Sequence, residues 1–235
     1  MLFDLRGRGR RRAVQVIYAM LALLMGGGLV FFGIGSATNG GLFDALGGNG
    51  GSSVSQLNQD QLKKAEAKVR ANRESPEAWG ALARVRLSRA AEIGLDKEKG
   101  AFTEDGKAEL RKADAAWQKA ISLAKKPDPN VAAVMIGAYG QGALNEPKEV
   151  VRAQEFVLAG KTKISSNEYA RYAVYAYQAS QLPKGDLAAK KAVALAPRAQ
   201  RKALKAQLEQ VKTQILTQAA QQASGSSGSQ SPLTP

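Results

Sequence analysis

The stretch Ser166–Pro197, SNEYARYAVYAYQASQLPKGDLAAKKAVALAP, decides the reading of the fold. Apolar and small residues recur in it at helical spacing, nothing alternates with the two-residue period of a strand, and Pro183 and Pro197 fall where helices must start or stop. The pattern predicts helices at about 166–181 and 184–195, and so short a joint makes them antiparallel neighbours. Tyr169 and Tyr172 are large, whereas Ala173, Ala176, Gly185, Ala189 and Ala192 are small. Small residues let the paired helices cross closely, and large ones fill the space between one pair and the next.

Outward from this hairpin, residues 57–222 read the same way. Pro76, Pro127, Pro129, Pro147, Pro183 and Pro197 all fall between apolar-periodic runs. Eight helices are expected, at about 57–73, 76–93, 107–126, 130–143, 147–161, 166–181, 184–195 and 198–221, with no strand, which makes the fold class all-α.

Counted from Ser166, Tyr169 stands at position 4, Tyr172 at 7, Ala173 at 8, Gly185 at 20, Ala192 at 27 and Pro197 at 32. This resembles the tetratricopeptide repeat, a 34-residue helical hairpin with large residues at 4 and 7, small ones at 8, 20 and 27, and proline at 32. A second unit starts at Pro76 with Trp79, Leu82 and Ala83, and continues with Ala113, Trp117, Ala120 and Pro127 after an insertion, Gly94–Arg111. A looser third runs from about Val131 to Lys161, with Ala138, Ala153 and Val157 at the matching places. The resemblance covers about 70% of the chain and implies a solenoid of helical hairpins, capped by the helices at 57–73 and 198–221.

Composition limits the chemistry. The 235 residues include no His and no Cys, which removes thiol nucleophiles, zinc-thiolate sites, disulfides and the usual general base. No catalytic, cofactor or metal residue is expected, and the chain reads as a non-enzyme. Gly100, Gly106 and Lys107 imitate a phosphate loop, but five residues separate the glycines and Ala108 stands where Ser or Thr would bind magnesium. Asp96, Glu98, Glu104 and Asp105 lack the alternation of a calcium loop.

The net charge of +14 is segmented. Residues 1–12 form a basic segment with Arg6, Arg8, Arg10, Arg11 and Arg12; residues 13–35 form an apolar run with no charge. Its first 22 residues, AVQVIYAMLALLMGGGLVFFGI, would make a helix of about 33 Å at about 1.5 Å per residue, enough for a hydrocarbon core of roughly 30 Å. The run is longer than the apolar region of a cleaved signal peptide, so it reads as a transmembrane anchor. The five arginines keep the N-terminus in the cytoplasm and place everything after the span outside, which argues against nucleic acid as the partner. Residues 36–56, with six Gly, read as a flexible linker, and 223–235 as a disordered tail.

In tetratricopeptide proteins the inner face of each first helix, at positions 2, 5, 9 and 12, lines a groove for peptides or partner helices. The resemblance places Arg84, Met135, Tyr139, Val174 and Tyr177 on that face, with core packing the alternative for Met135 and Tyr139. Trp79, Trp117, Tyr169 and Tyr172 are expected in the core, and Leu204, Leu208, Val211 and Ile215 form a seam by which the last helix caps the stack or pairs with another copy. The functional expectation is a scaffold or cochaperone-like adaptor in the cytoplasmic (inner) membrane. It would bind a protein or peptide in its groove and is similar in architecture to membrane-anchored tetratricopeptide proteins of bacterial secretion and envelope assembly. The alternative is a tether holding an anionic envelope polymer or membrane surface through residues 57–222, whose 29 basic and 18 acidic residues leave +11.

Overall fold

Among the described residues, six of the eight helices begin at a proline or a capping side chain. A computed structural model describes residues 51–226, and the fold is mostly helical: α1 Gly51–Ala71, α2 Pro76–Gly94, α3 Glu104–Leu123, α4 Pro129–Tyr139, α5 Pro147–Ala159, α6 Ser166–Gln178, α7 Leu182–Leu195 and α8 Arg198–Ser226. Pro76, Pro129 and Pro147 open α2, α4 and α5, where the missing N–H has no intrahelical acceptor to lose. Ser75, Thr103 and Asp128 accept from the backbone N–H of Ala78, Gly106 and Asn130, and Ser165 and Glu168 form a reciprocal capping box at α6.

Boundaries moved at both ends. α1 starts at Gly51, inside the stretch read as linker, and α8 runs to Ser226, past the expected start of the tail at 223. Once a helix is nucleated, small polar residues extend it at modest cost, and neither end carries a proline to stop it. The expected span 13–35 and the arginines before it lie outside the described residues. Among the described residues no helix is long and apolar enough to cross a membrane.

The helices pack in sequence order. α2 pairs with α3, α4 with α5 and α6 with α7; α1 lies on α2, and α8 lies on α6 and α7. Adjoining hairpins meet through α2, α3 and α4, and through α5 and α6. A continuous apolar core runs from Ala65 and Val69 on α1 to Val150 and Ala153 on α5, with Leu110, Trp117, Val131 and Met135 within it. Trp117 meets the edge of Phe156 at 6.1 Å between ring centres. A smaller cluster of Val151, Ala176 and Ala179, covered by Tyr172 and Tyr175, joins α5 to α6. Leu208 on α8 is buried and Leu204, Val211 and Ile215 are half-buried, so the apolar seam of this helix packs against the last hairpin.

The insertion is ordered and contains two short strands, where none was expected. β1, Leu95–Asp96, pairs antiparallel with β2, Ala101–Phe102. Two-residue strands are too short to show the alternation by which a strand is read. The Asp96 carboxylate accepts from the N–H groups of Glu98 and Lys99 to shape the turn, and the Phe102 N–H donates to the Gly142 carbonyl at 2.7 Å, tying the ribbon to the α4–α5 joint. Behind the ribbon, α2 and α3 cross at Gly94 and Gly106: a Cβ on Gly94 would stand 2.4 Å from the Gly106 Cα.

Candidate functional site

Glycine at 80 and alanine at 81 leave the N-terminal half of α2 without large side chains, and a cavity of about 170 Å³ opens there. Its floor is Trp117 and Ala120 of α3 and Val131 of α4; its rim carries Glu77 and Arg84 of α2 with Lys126 and Asp128 of the α3–α4 joint. Gly80 is held close by Val131, whose Cγ2 would lie 3.3 Å from a Cβ at that position. Asp128 does two jobs: one oxygen caps α4 on the Asn130 N–H at 2.8 Å, and the other accepts from Arg84 at 2.7 Å. Both partners of that ion pair are about half exposed, 49% and 44%. Such a pair contributes at most about 1 kcal/mol and can open to receive another charge. The site is therefore an apolar recess with both signs of charge at its mouth.

Of the residues expected on the groove, only Arg84 lines this recess. Val174 is half-buried on α6. Met135, Tyr139 and Tyr177 are enclosed, with exposures of 0%, 1% and 2%, so they support the core instead of facing a partner. The reason is the position of their helices. α4 is packed by α2, α3 and α5 together, and Met135 turns into the continuous core. Tyr177 is covered by α7 and α8, with its hydroxyl donating to Asp186 at 3.0 Å and the Lys212 ammonium 5.6 Å from its ring centre.

Tyr139 anchors a polar cluster instead. Its hydroxyl donates to Asp114, and Gln118 bridges Asp114, Tyr139 and Glu149. Burial, then the hydrogen bond to Asp114, holds the Tyr139 phenol far above its ordinary range, so it stays protonated as a donor. The Glu146 carboxyl, at the edge of the same cluster, is held above its ordinary range by burial and by the charges of Asp114 and Glu149. A second cluster joins α1, α2 and α3: the buried Glu109 carboxylate meets Arg86 at 3.1 Å, Arg89 at 3.3 Å and Lys112 at 3.4 Å, and Arg86 also reaches Glu66 at 2.9 Å. Every charge in it has an opposite partner, which marks it as a structural tie.

Among the described residues no group of His, Cys, Asp and Glu is placed to hold a metal ion. Gly100 and Gly106 sit in the ribbon turn and at the helix crossing, away from any phosphate-loop geometry. The residues missed from sequence are Glu77, Lys126 and Asp128. Glu77 stood at position 2 counted from Pro76, and Asp128, immediately before Pro129, carried the signal of a helix cap; Lys126 carried none. Comparison of the chain with protein-family models, with curated proteins and with solved structures finds no match.

Proposed function

We propose that the chain is a single-span membrane protein whose helical region, a tetratricopeptide-type array of three hairpins, faces outside the cytoplasmic membrane and binds a protein partner as a scaffold or adaptor. The observation that carries this reading is the recess on α2. It lies on the face where the repeat pattern puts its groove, with Glu77, Gly80 and Arg84 at positions 2, 5 and 9 counted from Pro76. An apolar floor with opposite charges at the rim suits an extended peptide or a helix end, with an apolar side chain for Trp117 and Val131 and a charged group able to exchange into the Arg84–Asp128 pair.

The hairpin pairing of α2 to α7, the tight crossing at Gly185, and the half-exposed α1 and α8 at the two ends of the series support the repeat assignment. The apolar run 13–35 and the arginines before it support the anchor and its orientation. Protease added to intact spheroplasts should degrade the helical region; full protection would overturn the outward orientation. A photoreactive residue at Glu77 should capture a discrete partner in cells, and filling the recess with Ala81→Trp should abolish that capture. Capture that is unchanged by the filled recess would overturn the groove.

A further inference from the structure

The charges at the mouth of the recess are ordered along α2. Glu77, Gly80, Ala81 and Arg84 stand at i, i+3, i+4 and i+7, so they share one face of the helix. Glu77 and Arg84 are therefore about 10.5 Å apart along its axis, at about 1.5 Å per residue. Between them this face carries nothing larger than a methyl group and opens onto the apolar floor of Trp117 and Val131.

Each end of this face has one charge to spare. Glu77 accepts from the Ser75 hydroxyl at 2.8 Å and pairs with no cation among the described residues. At the other end Arg84 and Asp128 neutralise one another at 2.7 Å. Lys126, two residues before Asp128, is exposed and pairs with no acid among the described residues. The recess thus has a negative end and a positive end. Arg73 and Glu74, in the turn before α2, add one charge of each sign and leave this balance as it is, and Lys125, beside Lys126, adds to the positive side.

The size of the recess limits what enters it. An apolar cavity of about 150 Å³ takes a benzene molecule, so one of about 170 Å³ seats a single Leu, Ile or Phe side chain. A helix lying on α2 would bring its i+3 and i+4 positions to the gap together, one more than the recess holds. An extended segment sends alternate residues to the same face, so an apolar residue and the residues two before and two after it all point at α2. The outer two are about 13 Å apart, and long charged side chains close the difference from about 10.5 Å.

We infer that the partner binds through an extended segment in which one large apolar residue is flanked, two residues away, by a cation on one side and an anion on the other. The apolar side chain fills the recess, the cation meets Glu77, and the anion meets Lys126 and Arg84. The inference rests on the recess being the partner site and adds the chemistry that the site recognises. A recess that read apolar shape alone would be indifferent to the flanking charges. A surface that read net charge alone would prefer acids, since residues 57–222 hold 29 basic and 18 acidic residues.

Full-length protein in phosphatidylcholine nanodiscs is titrated, in about 0.15 M salt, with fluorescent nine-residue peptides that have Leu at the centre and are too short to hold a helix alone. The flanks two residues from the Leu are Lys and Glu, two Glu, two Lys, or two Ser. A fifth peptide is locked as a helix with Lys, Leu and Glu on one face. The unlocked peptide with Lys and Glu is expected to bind roughly fivefold more tightly than any other. Glu77→Lys should move the preference to the two-Glu peptide, and Lys126→Glu to the two-Lys peptide; both positions are exposed, and thermal melts report any loss of fold. Equal binding of the four unlocked peptides, a wild-type preference for two Glu, or preferences that the substitutions leave unchanged would each overturn the proposal. If such binding is still lost on Ala81→Trp, the recess stands as the partner site and only the charge pattern falls. Tightest binding by the locked helix would overturn the extended form. Failure of every peptide to bind would also overturn the proposal, and capture from Glu77 in cells then decides the recess by itself.

Discussion

Gly185 lies so close to Tyr177 that a Cβ on the glycine would stand 2.3 Å from the ring Cε1. The α6–α7 crossing therefore depends on the absence of one methyl group, and Tyr177 is pinned between α7 and the Lys212 ammonium of α8. Gly185→Ala should lower stability by about 1–3 kcal/mol, because overpacking outweighs the roughly 1 kcal/mol that Ala offers a helix. In a Tyr177→Ala background the same change should become neutral or stabilising. Denaturant unfolding of the wild type, the two single variants and the double variant checks this, and an unchanged cost of Gly185→Ala in both backgrounds would contradict it.

Glu109 is 5% exposed and faces three cations. Glu109→Ala should cost about 3 kcal/mol or more, since Arg86 and Arg89 would be left shielded from water without their shared partner. Glu66→Ala should cost less than about 1 kcal/mol, because its carboxylate is a third exposed, at 34%. Equal effects of the two substitutions in thermal melts would contradict the burial-based ranking.

The ribbon is held to the α4–α5 joint by the Phe102–Gly142 hydrogen bond, and Gly142 has φ 84°. Gly142→Ala should destabilise by about 1–2 kcal/mol, from the left-handed backbone and from a Cβ placed 2.9 Å from the Gly100 carbonyl oxygen. Amide hydrogen exchange should lose protection at Phe102 before it does in the middle of α3.

Two carboxylates should give opposite pH signatures. The Lys212 hydrogen bond, with a further one from Tyr177, holds Asp186 below its ordinary 3.8. A depressed acid contributes stability that is full above its unfolded pKa and is lost as pH falls through its folded one, so the Tm difference between wild type and Asp186→Asn should persist at neutral pH and close in strong acid. Glu146 is held above 4.5 by burial and by Asp114 and Glu149. Its folded form binds the proton more tightly, so stability falls as pH rises from 4.5 through the folded pKa. Glu146→Gln should therefore raise Tm at neutral pH and have little effect below pH 4.5. Parallel pH dependence of the two variants would contradict these assignments.

The helices were legible because prolines and periodicity are local signals: Pro76, Pro129 and Pro147 each open a helix where the sequence placed a break. The small residue at Gly185 was legible for the same reason, as a repeat position. The two-residue strands were not, because their pairing depends on the crossing of Gly94 with Gly106 and on a hydrogen bond to Gly142, some forty residues away in sequence. The rim of the recess was half legible. Arg84 follows from its position in α2, whereas Met135 and Tyr139 turned inward because α4 is packed on three sides, and only the tertiary arrangement determines that. Tyr139 finds its acceptor Asp114 on another helix, and no spacing within α4 announces it.

The central claim is that the recess bounded by Glu77, Arg84, Trp117 and Asp128 is where a protein partner binds. The most direct measurement is in-cell photocrosslinking from Glu77, compared between the wild-type chain and Ala81→Trp, with the exposed Lys148 of α5 as a second probe site. The account predicts one discrete adduct from Glu77, none from Lys148, and loss of the Glu77 adduct when the recess is filled while the thermal melt is unchanged. An adduct that survives Ala81→Trp, or the absence of any adduct from Glu77, would contradict it.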